Sequence, residues 1–412
     1  MAGFDYNIAL TVFYIFYIAV DIPSNLVLKR FGSPWLAALI TLFGVVSIST
    51  AFVKSYAGFI VNRVFLGLAE GGTLVRLTYL LSRFYRRREL VFRIGVFFGA
   101  STPIAGAFGG LLASGLLSVP DIGSVKSWRK IFLIEGIITT GFGLLCFLIL
   151  PNDPGDTRLL NAKERAMALA RIEADQVVKT YNHREKTTLK LILRSLSLPT
   201  ILLTTCYIML NISFQGLSLF MPTVISTPVI QAQLRTVPPY VVATVWSVTV
   251  CYFSYRIRQR AAVTLFCALL MVVGYAISIG TRNSQARYAT CFLSLAGASP
   301  GGPLVLAWAT DNASPDTVRA VTTAMVPGLG ALGSVIAVWT YLPTDAPDYH
   351  NGNSLNLSTS CGICVLVALC YIYLRLENAK RDRGERDYRL QGKSPTEIEQ
   401  LGYLHPEFRY QT

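Results

Sequence analysis

The chain has 412 residues and a net charge of +14, and 52% of its residues are hydrophobic while 15% are charged. A typical soluble domain has about a quarter charged residues, whereas this chain repeats apolar segments of about twenty residues, the length that spans ~30 Å of hydrocarbon. The composition therefore excludes a soluble enzyme, a disordered chain and a disulfide-stapled secreted module, and it predicts a polytopic membrane protein.

The apolar segments between charged or turn-forming residues predict eleven transmembrane helices. Each must be helical, because an isolated strand in lipid would leave its backbone polar groups without partners. The predicted spans are 7–28, 35–53, 57–82, 94–118, 130–150, 200–221, 238–255, 262–280, 288–309, 320–341 and 357–375. The predicted fold class is an all-α membrane protein.

A long polar segment, 151–199, divides the spans into five before it and six after it. Within this segment, residues 161–176 predict an amphipathic helix, and 189–196 alternates basic and apolar residues, which is typical of a segment in the headgroup plane or of a solvated linker helix. The predicted domains are an N-terminal transmembrane half (1–150), a cytoplasmic linker (151–199), a C-terminal half (200–375) and a polar, largely disordered tail (376–412).

The basic residues lie mostly in alternate loops. One set of alternate loops, with the linker and the tail, holds 28 Lys and Arg, and the other set holds 7. Under the positive-inside rule this asymmetry places the linker and the C-terminus in the cytoplasm, and an odd number of spans then places Met1 outside. The start of the chain lacks the basic region and the cleavage site of a signal peptide.

The basic loops also indicate an internal repeat. In the second half such a loop, 256–260, follows the second helix, whereas in the first half Lys29 and Arg30 follow the first helix present. The simplest account is two six-helix halves of which the first lacks its opening helix. Parallel repeats of this kind are a known transporter architecture.

Several local sequences, in order along the whole chain, carry a resemblance. They include YIFYIAVDIPSNLVLKRFG (14–32), RVFLGLAE (63–70), FYRRRE (84–89), WRKIFLIEG (128–136), VPPY (237–240), LAWATDNASPDTVRA (306–320), DAPDYHNG (345–352), LENAKRD (376–382) and HPEFRY (405–410). This pattern resembles the major facilitator superfamily, in particular its fungal anion:cation symporters, which include allantoate, nicotinate and pantothenate permeases. The resemblance implies twelve helices, so it agrees that the first is not in this sequence. Asp311 stands where the family usually has Asn.

Charged residues inside a span are costly, by about 2.5–3.5 kcal/mol each on insertion scales, and are functional candidates by default. Arg63, Gly67 and Glu70 are spaced i, i+4, i+7, so they share one helix face. Protonation of Glu70 would release Arg63 to hold a substrate carboxylate. The alternative is a static ion pair that fixes helix packing.

The other candidate residues are polar groups on or beside the same and the facing helices. Asp21 also suits a structural pair with the basic loop, and Glu135 a helix-dipole contact. Asn211 and Gln215 (i, i+4) could hydrogen-bond substrate or join helices. The full candidate set for substrate binding and coupling is Arg63, Glu70, Arg76, Asp21, Asn25, Glu135, Asn211, Gln215 and Asn312.

Small residues in the segments 99–110 and 328–333 predict close helix packing and sliding, and Gly67 predicts a close helix approach at the third span. These packing or gating candidates are Gly67, Pro103, Gly106, Gly109, Gly328 and Gly330. All eight cysteines lie in apolar runs and are interpreted as packing residues rather than as metal ligands.

Together these observations predict a monomeric secondary transporter in the plasma membrane, with no cofactor and no nucleic-acid partner. The predicted activity is uptake of a small organic anion, a vitamin or nitrogen-source carboxylate, driven by the proton gradient through alternating access. An exporter of the same fold and a transport-inactive truncated or sensor protein are the alternatives. An embedded enzyme is disfavoured, because the sequence has no nucleophile–base pattern, metal-ligand cluster or phosphate loop.

Overall fold

The computed structural model of the chain describes residues 4–71, 77, 80–81, 84–85, 87–121, 125, 128–151, 155, 157, 160–173, 189–225, 228–346, 348–393, 398 and 401–412. Most of these residues are helical and none of them forms a β-strand, which confirms the all-α fold class. The helices are α1 (Asp5–Phe31), α2 (Ser33–Thr50), α3 (Tyr56–Glu70), α4 (Arg87–Ser118), α5 (Arg129–Ile149), α6 (Ala162–Glu173), α7 (Leu189–Arg194), α8 (Leu198–Ile225), α9 (Val229–Ile257), α10 (Arg260–Gly280), α11 (Ser284–Ala298), α12 (Gly301–Asp311), α13 (Asp316–Gly330), α14 (Leu332–Ala337) and α15 (His350–Asp382).

Within the described residues, nine helical segments are long and apolar enough to cross a membrane. Two of them join short helices, α11 with α12 and α13 with α14. Helices α1 and α3 occupy the two remaining predicted positions, but the predicted span 57–82 continues past α3 into residues that are mostly outside the described ones. The total of eleven spans therefore stays a prediction.

Two helices are longer than predicted. Helix α9 begins at Val229 and includes the Pro238–Pro239 pair, at which the predicted span began. Helix α15 extends about seven residues beyond each end of the predicted 357–375, and Gly352, Asn353 and Asn356 of its polar first turns are buried. There the Tyr341 hydroxyl donates to Asn353 Oδ1 and accepts from Asn356 Nδ2, both at 3.0 Å. A hydropathy scale counts these buried amides as polar, so the predicted span begins after them.

The N-terminal half is built on close contacts at glycines. The longest contact joins α2 and α5, where a Cβ at Gly44 would lie 2.5 Å from the backbone nitrogen of Thr140, and one at Gly143 would lie 2.6 Å from that of Thr41. Side chains larger than hydrogen would separate these helices. This contact and those of α3 with α1 and α2 hold α1, α2, α3 and α5 together.

The C-terminal half packs around α8, which contacts the helices from α11 to α15. Its core contains the fully buried Trp308, Met271 and Leu374. The two halves meet where α4 packs along α9 and where α1 contacts α13 and α14. Gly106 lies against the Tyr240 ring in the first of these contacts. Between them the halves leave space for a cavity.

The prediction that the tail 376–412 is largely disordered is wrong for its described part. Helix α15 continues to Asp382, and short 3-10 helices follow at Asp387–Leu390 and Gly402–Leu404. The buried Glu377 accepts two hydrogen bonds from Arg386, at 2.9 and 2.7 Å. A polar composition suggested solvation, whereas these polar groups are paired with one another and with backbone carbonyls.

Candidate functional site: a cavity between the two halves

A cavity of ≈ 160 Å³ lies between the N-terminal and C-terminal halves. Both halves line it, each with aromatic and polar side chains. The lining residues are Phe13, Tyr14, Tyr17 and Asp21 of α1, Glu70 of α3, Tyr207, Asn211 and Gln215 of α8, Pro327 of α13, and Ala331 and Ser334 beside and within α14. Four predicted residues, Asp21, Glu70, Asn211 and Gln215, thus share one cavity.

The N-terminal wall depends on how closely α1 approaches α3. Phe13, Tyr17 and Asp21 are spaced i, i+4, i+8, so they form one stripe of α1. A Cβ at Gly67 would lie 2.5 Å from the Phe13 carbonyl oxygen. The glycine lets α3 touch the α1 backbone, and this contact brings Glu70, one turn further along, to the stripe.

The C-terminal wall repeats the same spacing on α8, with Tyr207, Asn211 and Gln215 at i, i+4, i+8. Asn211 Nδ2 donates a hydrogen bond of 2.9 Å to the carbonyl oxygen of Gly330. Gly330 is the last residue of α13, and its missing side chain leaves room for the Tyr207 ring. The Asn211 side chain therefore stabilises the break between α13 and α14 where this break meets the cavity.

The two walls differ in charge. Two carboxylic acids, the buried Asp21 and the half-buried Glu70, belong to the N-terminal wall, and two neutral amides belong to the C-terminal wall. Asp21 reaches across to the other half, since its Oδ2 lies 3.1 Å from the Cβ position of Gly328. No Lys, Arg or His from the described residues lines the cavity.

Arg63 lies on α3 about two turns from Glu70, outside the cavity lining, and only 9% of its surface is exposed. Its guanidinium carbon is 4.5 Å from the centroid of the Phe59 ring and 5.7 Å from that of Phe132. Among the described residues it has no ion-pair partner, and its Nε atom has no hydrogen-bond partner. The guanidinium is thus held by aromatic rings, with donor capacity left over.

The remaining predicted residues lie elsewhere. Arg76 and the side chain of Asn25 are outside the described residues. Glu135 is half-buried on α5 and does not line the cavity. Asn312 lies at the end of α12, where its amide bonds to Gln411.

Some of the residues predicted to pack helices together contact a neighbouring helix, and one of them does not. Gly328 and Gly330 contact Asp21 and Tyr207, as described above, and Pro103 lies inside α4. A Cβ at Gly106 would lie 2.6 Å from the Tyr240 ring, whereas one at Gly109 would have no atom within 4 Å.

Sequence reasoning missed the aromatic part of the site. Tyr14, Tyr17 and Tyr207 lie in apolar segments, where a tyrosine reads as an ordinary core or interface residue. The available signal was the i, i+4 spacing of Tyr17 with Asp21 and of Tyr207 with Asn211. An aromatic residue one turn from an embedded polar residue lies on the same helix face, so it faces the same cavity.

Two hydrogen bonds, which we name the seal, join the two halves at the end of the bundle where α1 begins. Asn7 Nδ2 donates to the carbonyl oxygen of Val338 at 2.6 Å, and the Trp339 indole donates to Thr11 Oγ1 at 3.0 Å. Both bonds join α1 to the turn after α14, and Asn7 is 1% exposed. The two halves are therefore held together at this end, which the loop charges predict to be extracellular.

Two halves of membrane-spanning helices around a shared polar cavity define an integral membrane protein of the secondary transporter class. The sequence comparison agrees: residues 1–338 match the family model of the Major Facilitator Superfamily. The chain belongs to this superfamily and is a transporter rather than an enzyme. The identity of the particular branch stays a prediction.

Curated relatives cover the whole chain. The "MFS-type transporter cnsO" of Penicillium expansum is 30% identical over 100% of this chain and 82% of its own length. The "High-affinity nicotinic acid transporter" of Saccharomyces cerevisiae is 27% identical over 100% of this chain and 77% of its own length.

A solved structure shows the same fold. The proton:xylose symporter XylE bound to 6-bromo-6-deoxy-D-glucose superimposes with a TM-score of 0.68, at 18% identity, over 89% of this chain and 84% of that chain. At this identity the likeness concerns the fold alone.

Proposed function

We propose that this transporter couples the movement of a small organic anion to the movement of protons, and that it works as an importer in the plasma membrane. The observation that carries the proposal is Arg63, a buried cation with unused donor capacity. Burying an unpaired charge is costly, so a chain that keeps one has a use for it. An anionic group is the partner that a guanidinium fits. Because Arg63 lies outside the lining of the cavity, the anion meets it only when the halves rearrange during transport.

The carboxylates of the cavity supply the proton coupling. Two unit charges 4 Å apart interact by about 4 kcal/mol at an effective dielectric constant of 20, a factor of roughly a thousand in binding. An anion therefore binds next to Glu70 or Asp21 only when these groups carry protons. Substrate and proton must then enter together, which is symport.

The aromatic walls favour a flat or apolar substrate body. Phe13, Tyr14 and Tyr17 offer ring faces on one side, and Asn211 and Gln215 offer amide hydrogen bonds on the other. A compact carboxylate with a ring or a polar nitrogen fits such a cavity. The name of the yeast relative, a nicotinic acid transporter, supports this class of substrate.

The test is uptake of a panel of labelled carboxylates in a permease-deficient host, followed by reconstitution in proteoliposomes with an imposed pH gradient. We expect accumulation of one member of the panel when the outside is acidic, and its loss in Arg63→Gln. Arg235→Gln, on an exposed stretch of α9, is the matched control that keeps full activity. Accumulation only in inverted vesicles would show an exporter, and pH-independent uptake with an active Arg63→Gln would refute the proposal.

A further inference from the structure

The last described stretch of the tail, 401–412, lies across the helix ends on the side of the bundle where the basic loops occur, and we name it the strap. It begins with the buried Leu401 and includes Tyr410, of which 7% is exposed. Its contacts fall on the ends of helices that belong to the C-terminal half. Two of those helices, α8 and α13, supply the C-terminal wall of the cavity. The strap can therefore affect the position of this wall without lining the cavity itself.

Tyr403 joins the starts of both wall helices. Its backbone nitrogen donates to the Ser314 carbonyl oxygen at 3.1 Å, two residues before α13 begins. Its hydroxyl donates to the Arg194 carbonyl oxygen at 3.0 Å, at the end of α7 and four residues before α8. The ring packs against the small cluster of Leu191, Ala313 and Val318. One tail residue thus links the linker to the α12–α13 turn.

The end of the strap contacts the ends of two further helices. The Gln411 carbonyl oxygen accepts from Trp308 Nε1 at 2.9 Å and from Asn312 Nδ2 at 3.0 Å, and its backbone nitrogen donates to Asn312 Oδ1 at 2.8 Å. The Thr412 carbonyl oxygen accepts from the backbone nitrogen of Arg260, the first residue of α10, at 3.1 Å. The backbone nitrogen of Arg260 is one of the groups that a helix start leaves unsatisfied, so the Thr412 bond acts as a cap, whereas the Gln411 bonds hold side chains at the end of α12.

Helix α15 anchors the strap. Asn378 exchanges two hydrogen bonds of 2.9 Å with the backbone of Tyr410. The fully buried Arg381 side chain donates to the carbonyl oxygens of Phe408 and Tyr403, and its guanidinium lies 4.3 Å from the Tyr410 ring centroid. Most of the strap's bonds therefore use backbone groups of the strap and buried side chains of the bundle, a pattern of a docked segment rather than a loose tail.

We propose that the strap is a positioning element that holds α8, α10, α12, α13 and α15 as one rigid body, so that the C-terminal wall of the cavity moves as a unit during transport. Through Tyr403 it also fastens the linker to this body. The proposal rests on the transporter function only for its consequence in transport. Its structural part, the immobilisation of the helix starts, can be measured without substrate.

The test compares the full chain with a truncation that lacks 401–412 and with Tyr403→Phe, which keeps the ring and loses only the hydroxyl. Hydrogen exchange is measured at the amides of 198–203 and 316–321 in the detergent-solubilised protein. We expect the truncation to raise exchange at both helix starts by about 10-fold or more, where 10-fold corresponds to 1.4 kcal/mol. Tyr403→Phe should raise it at 198–203 more than at 316–321, because its lost bond is to Arg194. Tyr371→Phe, exposed on α15 and bonded only within its own helix, is the control.

Transport and rescue give the second readout. The truncation should raise KM and lower the maximal rate at unchanged surface expression, and a synthetic peptide of residues 401–412 added in trans should restore both the exchange protection and the transport. Unchanged exchange at both helix starts in a folded truncation would overturn the proposal, as would faster transport, which would mean autoinhibition. If the truncation does not fold, Tyr403→Phe in the full chain decides. Altered exchange with no carboxylate transported by any variant would leave the strap standing and refute the proposed substrate class.

Discussion

The two walls of the cavity are built from the same spacing but with different chemistry. Helix α1 presents Tyr17 and Asp21 one turn apart, while α8 presents Tyr207 and Asn211 one turn apart. The first wall can change its charge by taking up a proton, whereas the amides of the second cannot. In the proposed mechanism, proton binding belongs to the first wall and substrate hydrogen bonding to the second, so that a rocking motion of one half against the other would couple them.

The walls also differ in what holds them. The N-terminal wall depends on a close helix contact at Gly67, whereas the C-terminal wall depends on the Asn211 amide bonded to Gly330. Changes of volume should therefore damage the first wall most, and changes of hydrogen bonding should affect the second. Four substitutions test this difference.

The largest effect is expected for Gly67→Ala. Its Cβ would lie 2.5 Å from the Phe13 carbonyl oxygen and 3.2 Å from the Tyr17 backbone nitrogen, so α1 must move away from α3. Overpacking of this kind costs about 1–3 kcal/mol, and here it also displaces Glu70 from the cavity. We expect a lower melting temperature in detergent and loss of transport. Gly109→Ala, which meets no atom within 4 Å, should change neither, and equal behaviour of the two variants would contradict the close-contact account.

The second-largest effect is expected for Glu70→Gln. This substitution keeps the size of the side chain and removes its ability to bind and release a proton. Accumulation against a gradient should be lost, while exchange of labelled for unlabelled substrate continues and becomes independent of pH. Counterflow and pH-jump assays in proteoliposomes measure the two activities separately. Glu164→Gln, on the linker helix α6, is the control. Unchanged pH dependence would transfer the proton-carrying role to Asp21.

The residues that line the cavity show how much of the site can be predicted from the sequence. Apolar length and loop charge predicted the helical class, and embedded polar residues pointed to Asp21, Glu70, Asn211 and Gln215, all of which line the cavity. A polar group in hydrocarbon needs polar surroundings, which explains why these four residues meet at the cavity, while their roles in binding and coupling stay predictions. The i, i+7 spacing placed Arg63 and Glu70 on one helix face and so predicted that they act together. Both lie on α3, but only Glu70 lines the cavity.

The tail shows where sequence reasoning failed. Residues 376–412 have a polar composition, which predicts solvation, but Arg381, Asn378 and Asn312 pair with backbone groups far along the chain. Such pairs join residues 27, 32 and 99 positions apart. No local pattern encodes them, because they depend on the helix ends that the folded bundle brings together.

The third effect is expected for Gln215→Leu on the amide wall. Gln215 lines the cavity and makes no hydrogen bond to another described residue, so its amide is available to substrate. Losing one hydrogen bond of about 1–2 kcal/mol should raise KM by roughly 5- to 30-fold, with the maximal rate unchanged. Gln285→Leu, exposed in the first turn of α11, is the control. A lowered maximal rate at unchanged KM would instead assign Gln215 to the moving interface.

The smallest effect is expected at the seal, for Thr11→Val, which removes the acceptor of the Trp339 indole and keeps the shape of the side chain. The Asn7 bond to Val338 remains, so only about 0.5–1 kcal/mol of the seal is lost. The population open at this end should rise by roughly 2- to 5-fold. Labelling of Ser334→Cys from this side, in a Cys361→Ala background, measures the change. Thr249→Val, whose hydroxyl bonds within its own helix, should label like the parent, and the same rate in Thr11→Val would show that Asn7 alone holds the halves together here.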